Sequence, residues 1–423
     1  MFKVTRIQID GFWHEGHAES AFREDVNIII GKNGTGKTTF MNILHAVLAV
    51  DIDALYENYF KSVTITLSDG QHNRKIVATR IDNSSASFGF IEYKISNKKY
   101  LAPLLSSEDS RSFAPSLRRR AAEEAQQVKS KLAELVALAS LSVYRLGNDI
   151  DPEMRDRVPR RHISTVDQRL TSLSQRLTQY QLELSNEARQ VSSELQRDVL
   201  ISLLYSKADH QHRGYSIQID SQIERQNLLL AYQQLGVSGA EVSKKINEHV
   251  SAVATSANQL KELTVNGSKN AASGIDFSAL EAFRRTRVVV DLSLRAEEKT
   301  KAIFNQIHLF LAKLKEFIPG KEFSFEFGDL KVKSKDSILL GKLSSGEKQL
   351  LILFIEALLQ KQKPYIFLAD EPELSLHISW QRNIISAIKS INPNAQIIVA
   401  THSPEIAGKY KFALLDMEDI RNV

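Results

Sequence analysis

The stretch Val26-Asn27-Ile28-Ile29-Ile30-Gly31-Lys32-Asn33-Gly34-Thr35-Gly36-Lys37-Thr38-Thr39 passes from an apolar run into glycines, and Phe40 to Leu48 follow with apolar residues at helical spacing. The order predicts strand, loop, helix. Backbone N–H groups of Asn33, Gly34 and Gly36 in the loop, and of Lys37, Thr38 and Thr39 on the first helical turn, are placed to surround the phosphates of a nucleotide. Lys37 is expected to reach the outer two phosphates, and the Thr38 hydroxyl to complete a magnesium shell. Side chains in place of the glycines would push the phosphates away and forbid the turn.

The matching pieces lie beyond residue 340. Pro364 to Ala369 form a second apolar strand running into Asp370-Glu371-Pro372, so two carboxylates emerge at the end of a strand expected beside the phosphate-loop strand. Asp370 is expected to hold magnesium through water, while Glu371 orients and deprotonates the attacking water. Gln396 to Ala400 form a third apolar strand, ending in Thr401-His402-Ser403-Pro404. A lone histidine after a strand is commonly structural. Open parallel sheets carry their ligands at this end, however, so a contact from His402 to the terminal phosphate is expected.

Leu343-Ser344-Ser345-Gly346-Glu347-Lys348-Gln349 precede a strongly apolar helix, Leu350 to Leu359. A helix amino terminus behind serine is an anion site, which brings Ser345 and Gly346 into the candidate nucleotide set, with Glu347 counted beside them. Ser344 and Glu347 also fit the interval of a capping box, and the two roles are compatible.

With these segments in this order, the chain resembles the ABC-type ATPases of the SMC, RecF and OLD-like group. The resemblance covers residues 1 to 50 and about 320 to 415, with Gly31 to Thr39 resembling Walker A, Leu343 to Gln349 the signature motif and Phe367 to Glu371 Walker B. Glu371 to His377 resemble the D-loop region of the OLD-like branch, and Thr401 to Pro404 its histidine switch. It implies an α/β ABC-type ATPase head with mixed and parallel sheets, assembled from both chain ends. ATP and Mg²⁺ would be sandwiched between two copies, one copy's phosphate loop facing the other's signature segment. Two features depart from the wider pattern: Ser345 and Glu347 replace the glycines and glutamines of transporter signatures, and no Q-loop glutamine is assignable between residues 60 and 100.

Of the 423 residues, 43% are hydrophobic and 25% charged, enough for two or three cores. No apolar run approaches the ~18 residues of a membrane span, and the amino end enters a strand at once, so a cytoplasmic protein without signal peptide is expected. Zero cysteines exclude disulfides and thiolate metal sites. A formal charge of +5 permits nucleic-acid contact without establishing it.

Three regions are predicted: an amino-terminal ATPase lobe over 1–105, an inserted short antiparallel helical or coiled-coil arm over 106–318, and a carboxyl-terminal ATPase lobe over 319–423. The first holds an opening strand from Phe2 to Ile9 and antiparallel strands over Ser62 to Leu67, Arg74 to Ile81 and Phe88 to Ile95, with Asp69-Gly70 as a turn. Phe12 or Trp13 could stack on adenine, although an aromatic after a strand is commonly packing. In the arm, Leu170, Leu173, Leu177, Tyr180, Leu184, Ala188, Val191, Leu195 and Val199 recur at spacings of mostly three or four, a heptad-like seam. Further helices are expected from Gly239 to about Leu263 and from Phe277 to about Phe317. Between residues 111 and 170 there are 12 Lys or Arg against 8 Asp or Glu, a net of +4 that includes Arg118, Arg119, Arg120, Lys129, Lys131, Arg155, Arg157, Arg160 and Arg161. Such a run could follow DNA phosphates, hold an acidic partner, or keep a loop soluble.

The 21 residues after His402 are too few for the Toprim domain that OLD-like nucleases carry there, and no HNH or PD-x-K constellation is visible. The build resembles the stand-alone ATPase components of bacterial anti-phage systems such as PARIS and Septu. That resemblance implies a self-associating ATPase controlling a separate nuclease or other effector. The alternative is a RecF-like repair ATPase that clamps DNA when ATP binds.

Overall fold

The computed structural model describes residues 1–81, 89–104, 115–141, 164–204, 219–266 and 276–421. They divide into two compact units, one comprising Met1–Gln179 and Ile307–Val423, the other Tyr180–Gln306.

In the first unit, β1 (Lys3–Phe12) and β2 (Gly16–Ala21) pair as a hairpin, and β3 (Val26–Ile30) leads through the glycine loop into α1 (Lys37–Ala49). A short α2 (Ile52–Glu57) precedes β4 (Ser62–Ser68), β5 (Asn73–Ile81), β6 (Gly89–Ile95) and β7 (Lys98–Leu104). The six strands form an antiparallel sheet ordered β2-β1-β4-β5-β6-β7. Its alternation is legible in β4, where Val63, Ile65 and Leu67 are buried and the residues between them are not. That inner face joins Phe40, Met41, Leu44 and Val47 of α1 in one apolar cluster. Asp69 closes the β4–β5 turn by accepting from the N–H groups of Gln71 (3.0 Å) and His72 (2.7 Å).

Next come α3 (Pro115–Leu135), β8 (Leu138–Leu141) and four further helices: α4 (Thr165–Ser202), α5 (Ser221–Gln234), α6 (Ala240–Asn266) and α7 (Phe277–Phe317). A small sheet follows, with β9 (Glu322–Glu326), β10 (Asp329–Lys333) and β11 (Ser337–Ile338). The remainder is α8 (Ser345–Leu359), β12 (Tyr365–Asp370), α9 (Ile378–Gln381), α10 (Ile384–Ile391), β13 (Ala395–Ala400), α11 (Pro404–Ala407), β14 (Leu414–Asp416) and α12 (Met417–Arg421).

Both chain ends build a five-stranded parallel sheet ordered β14-β3-β13-β12-β8. The fold is therefore the α/β head with mixed and parallel sheets. Residues Ala395 to Ala400 of β13 are all buried, as befits a strand covered on both faces. From β13, Gln396 accepts from Val4 N–H at 2.8 Å and donates to Val4 O at 2.6 Å, tying the two sheets together through a buried amide. Between α4 and α8, Lys348 pairs with Asp167 at 2.7 Å and Arg169 pairs with Glu356.

Two placements differ from the sequence reading. β13 lies between β3 and β12, so the carboxylate-bearing strand is not beside the phosphate-loop strand; strand order is a tertiary property that local patterning does not carry. The segment assigned to the arm from residue 106 contributes α3 and β8 to the first unit: Leu138 to Leu141 pair with Ile366 to Ala369, and Val128, Leu132 and Val136 enter the core cluster.

In the second unit, α5 and α6 pack through Leu228, Ala231, Ile246 and Val250, with Val290 of α7 in the same cluster. Helix α5 was not anticipated. Gly236, at φ 79°, ends it in the left-handed conformation that glycine adopts without cost. No helix of the described residues is long and apolar enough to cross a membrane.

Candidate active site

The buried strand β3 delivers the glycine loop to the amino end of α1. Gly36 caps that helix at φ 100°, and a Cβ there would come within 3.0 Å of the Phe12 ring and of Trp13 Cζ2. Glycine is therefore demanded twice, by backbone conformation and by the close approach of an aromatic pair. Asn33, Gly34 and Thr38 are exposed on the loop and first turn, whereas Lys37 is only 5% exposed. The Lys37 ammonium donates to Gly31 O at 2.9 Å and to Lys32 O at 3.0 Å. Burial lowers its pKa from the ordinary lysine value, opposed by the nearby charges of Glu371 and Asp370.

Asp370 ends β12 close to the Thr38 hydroxyl. Burial pushes the Asp370 carboxyl above its ordinary range; the Thr38 hydroxyl opposes this, while Glu371 and Glu373 add to it. Oδ1 of Asp370 is buried and has no hydrogen-bond partner among the described residues. An orphaned, charge-crowded carboxylate oxygen beside a threonine hydroxyl is a hard donor set, and Thr38 and Asp370 fit a magnesium ion that arrives with nucleotide phosphates and keeps several waters.

Glu371 follows in a left-handed conformation at φ 48°, its N–H donating to Ala400 O at 2.8 Å across to β13. His402 Nε2 then stands 3.5 Å from Glu371 Oε1. The structure thus brings Lys37, Thr38, Asp370, Glu371 and His402 together at the carboxyl ends of β12 and β13 and the loop after β3, where a parallel sheet carries its ligands. The sequence reading assigned no separate part to Glu373. Its Oε1 accepts from Thr401 Oγ1 at 2.6 Å, His402 N–H at 2.8 Å and Ser403 N–H at 3.1 Å. The run Asp370-Glu371-Pro372-Glu373 was the available signal, a third carboxylate two residues beyond the pair.

Ser345, Gly346 and Glu347 form a second group. Ser344 caps α8 and Glu347 completes the capping box, with Ser344 N–H donating to Glu347 Oε2 at 2.9 Å. The other oxygen of Glu347 receives the Lys321 ammonium. One oxygen of Glu347 thus closes the helix end and the other an ion pair, while Ser345 stays exposed on the first turn. Gly346 is packed on the turn after Glu371, so tightly that a Cβ would lie 2.3 Å from Ser375 O.

Of the two candidate adenine aromatics, Phe12 is 1% exposed and belongs to the core. Trp13 is 43% exposed, stacks on Phe12 at 5.3 Å between ring centroids, and has the Arg421 guanidinium 4.5 Å over its ring. Arg155, Arg157, Arg160 and Arg161 lie outside the described residues. Arg119 and Arg120 pair one helical turn on with Glu123 and Glu124, each at 3.0 Å.

The AAA ATPase domain family matches residues 2–407. The retron Ec83 probable ATPase of Escherichia coli is 38% identical over 85 residues, 18% of this chain and 16% of that protein. The retron Vc95 probable ATPase of Vibrio cholerae serotype O1 biovar El Tor is 34% identical over 84 residues, 17% of this chain and 16% of that one. The chain therefore matches only 16% of the length of either relative. Among solved structures, the Smc head domain with an extended coiled coil bound to the C-terminal domain of ScpA, from Pyrococcus furiosus, aligns with a TM-score of 0.45 at 14% identity, covering 96% of this chain and 92% of that one. The SMC head domain from Thermotoga maritima aligns with a TM-score of 0.38 at 10% identity, covering 96% and 91%. The family match spans nearly the whole sequence, and the chain is an ATPase that belongs to the AAA ATPase domain family.

Proposed function

We propose that this chain binds ATP with Mg²⁺ between two copies of itself and hydrolyses it to control a separate effector, a nuclease, in bacterial anti-phage defence. The observation that carries the catalytic part is the convergence of Lys37, the orphaned Asp370 oxygen and the Glu371–His402 pair. Loop and helix N–H groups from Asn33 to Thr39 take the phosphates, and Lys37 exchanges its loop carbonyls for phosphate oxygens, forming stronger charge-assisted bonds. Thr38 and Asp370 would hold magnesium, which when bound neutralises phosphate charge. Glu371 orients the attacking water and accepts its proton; His402, beside it, donates toward the terminal phosphate. Trp13 is the candidate for stacking on adenine, which requires the Arg421 guanidinium 4.5 Å over its ring to give way, and Ser345 with the α8 amino terminus serves the nucleotide held by the second copy.

The defence reading is supported by the resemblance to the PARIS and Septu ATPases and by the two retron ATPases that share a segment with this chain. A DNA clamp is less favoured, because a surplus of four charges between residues 111 and 170 is thin for a dedicated DNA groove, and Arg119 and Arg120 stand beside glutamates on their own helix. Co-purification of the chain with the products of adjacent genes, beside a salt titration of DNA binding with and without ATP, tests the choice. A nuclease that stays bound supports the effector reading. Tight, ATP-strengthened DNA binding with no bound partner replaces it with the clamp.

A further inference from the structure

We infer that Glu373 is a positioning residue for hydrolysis, its carboxylate clamping the Thr401–Ser403 loop so that His402 is held at Glu371. The inference rests on the role given to His402 in the proposed function and adds the device that sets it. The loop's geometry is fixed at two points. Glu371 N–H to Ala400 O, at 2.8 Å, fixes the backbone where β12 and β13 end. Just beyond, one oxygen of Glu373 collects a hydroxyl and two successive backbone N–H groups within 2.6–3.1 Å. Three donors converging on one carboxylate oxygen are charge-assisted, and each restrains a different residue of the loop. Because one of the three is the N–H of His402 itself, the imidazole hangs from a restrained backbone.

The clamp is braced from behind. Glu373 O accepts from Leu376 N–H at 2.9 Å and from Gln381 Nε2 at 3.4 Å, while Gln381 Oε1 accepts from Ser403 Oγ at 2.7 Å. Segment 371–381 and loop 401–403 are therefore laced by side chains on both sides of His402. None of these hydrogen bonds involves the phosphate loop; the Glu373 charge does reach Lys37 and Asp370, so Glu373→Ala also changes their field, whereas Thr401→Val loosens the loop and keeps that charge. Misplacement of about 1 Å costs on the order of 10²-fold in rate while leaving binding intact.

The test compares Glu373→Ala, Glu373→Gln, Thr401→Val, His402→Ala and the Glu373→Ala/His402→Ala pair in the full chain. Steady-state ATPase kinetics, affinity for a fluorescent ATP analogue and thermal melting are measured for each. Glu373→Ala is expected to lower kcat by on the order of 10²-fold, with KM and analogue affinity within about twofold of wild type. Glu373→Gln keeps an acceptor oxygen and should recover most of that loss, and Thr401→Val, which removes one donor, should fall between. In the His402→Ala background Glu373→Ala should cost nothing more, because residues acting through one another are not additive. A multiplicative loss in the double variant, or Glu373→Gln no better than Glu373→Ala, overturns the inference while His402 keeps its role. Wild-type kcat in His402→Ala removes that role and the inference with it. If Glu373→Ala does not fold, Glu373→Gln and Thr401→Val decide: wild-type kcat in Thr401→Val, with unchanged melting, rejects the clamp.

Discussion

The Lys37 ammonium lies 2.9 Å from the carbonyl oxygen of Gly31, within the loop proposed to take the phosphates. Lys37→Ala removes both the loop contacts and the phosphate contacts. With charge-assisted bonds worth about 1.5–3 kcal/mol each, ATP affinity should fall by roughly 10²-fold or more. Titration with a fluorescent ATP analogue measures it, and unchanged affinity would reject the assignment.

Glu371→Gln should retain ATP and hydrolyse it roughly 10² to 10⁴-fold more slowly, since it removes the proton acceptor and leaves phosphate binding alone. Size-exclusion chromatography with ATP should show the self-associated form persisting in the variant after it has decayed in wild type. Equal turnover in the two proteins sinks the role given to Glu371.

For Ser345 the expectation concerns a site shared between copies. Ser345→Arg should bind nucleotide through its own phosphate loop yet fail to hydrolyse it. Mixing it with Lys37→Ala should restore at most one competent site per pair. Normal turnover in Ser345→Arg alone would mean that each copy completes its own site.

The α8 cap predicts a pH dependence. Burial raises the Glu347 carboxyl, but the Lys321 ammonium and the Ser344 N–H outweigh it and leave the pKa below the ordinary glutamate value. A depressed folded-state pKa contributes stability that is present above the unfolded value and lost as pH falls through the folded one. Glu347→Gln should therefore melt below wild type at neutral pH, with the gap closing on acidification below the usual glutamate range. Ser344→Ala should cost about 1 kcal/mol at neutral pH. Identical melting curves for Glu347→Gln and wild type at pH 7 would show that the cap and ion pair contribute nothing.

The glycine loop, its helix and the two carboxylates at a strand end were legible because each is a short local pattern: an apolar strand, then residue types whose chemistry restricts their place. The seam from Leu170 to Leu195 was legible for the same reason, and these leucines are buried in α4. β8 was not. Leu138-Ala139-Ser140-Leu141 is too short to show alternation, and it becomes a strand only by pairing with Ile366 to Ala369, far along the chain. The place of β13 between β3 and β12 was hidden for a like reason. Phe12 and Trp13 were indistinguishable as letters, and only the fold turns one inward and leaves the other 43% exposed. Glu373 was visible as a residue but not as a clamp, because its three donors come from a loop beyond α10 and β13.

At Gly346 the first turn of α8 has no slack. With Ser375 O where even a methyl group would sit at 2.3 Å, the helix end and the turn that follows Glu371 must move as one body. If two copies pair across their nucleotides as proposed, pressure on one copy's Ser345 from its neighbour's ATP is passed through that contact into the segment bearing its own Glu371. Each copy would then read the occupancy of the other's pocket before committing its own. The expected signature is a sigmoidal dependence of hydrolysis on ATP concentration.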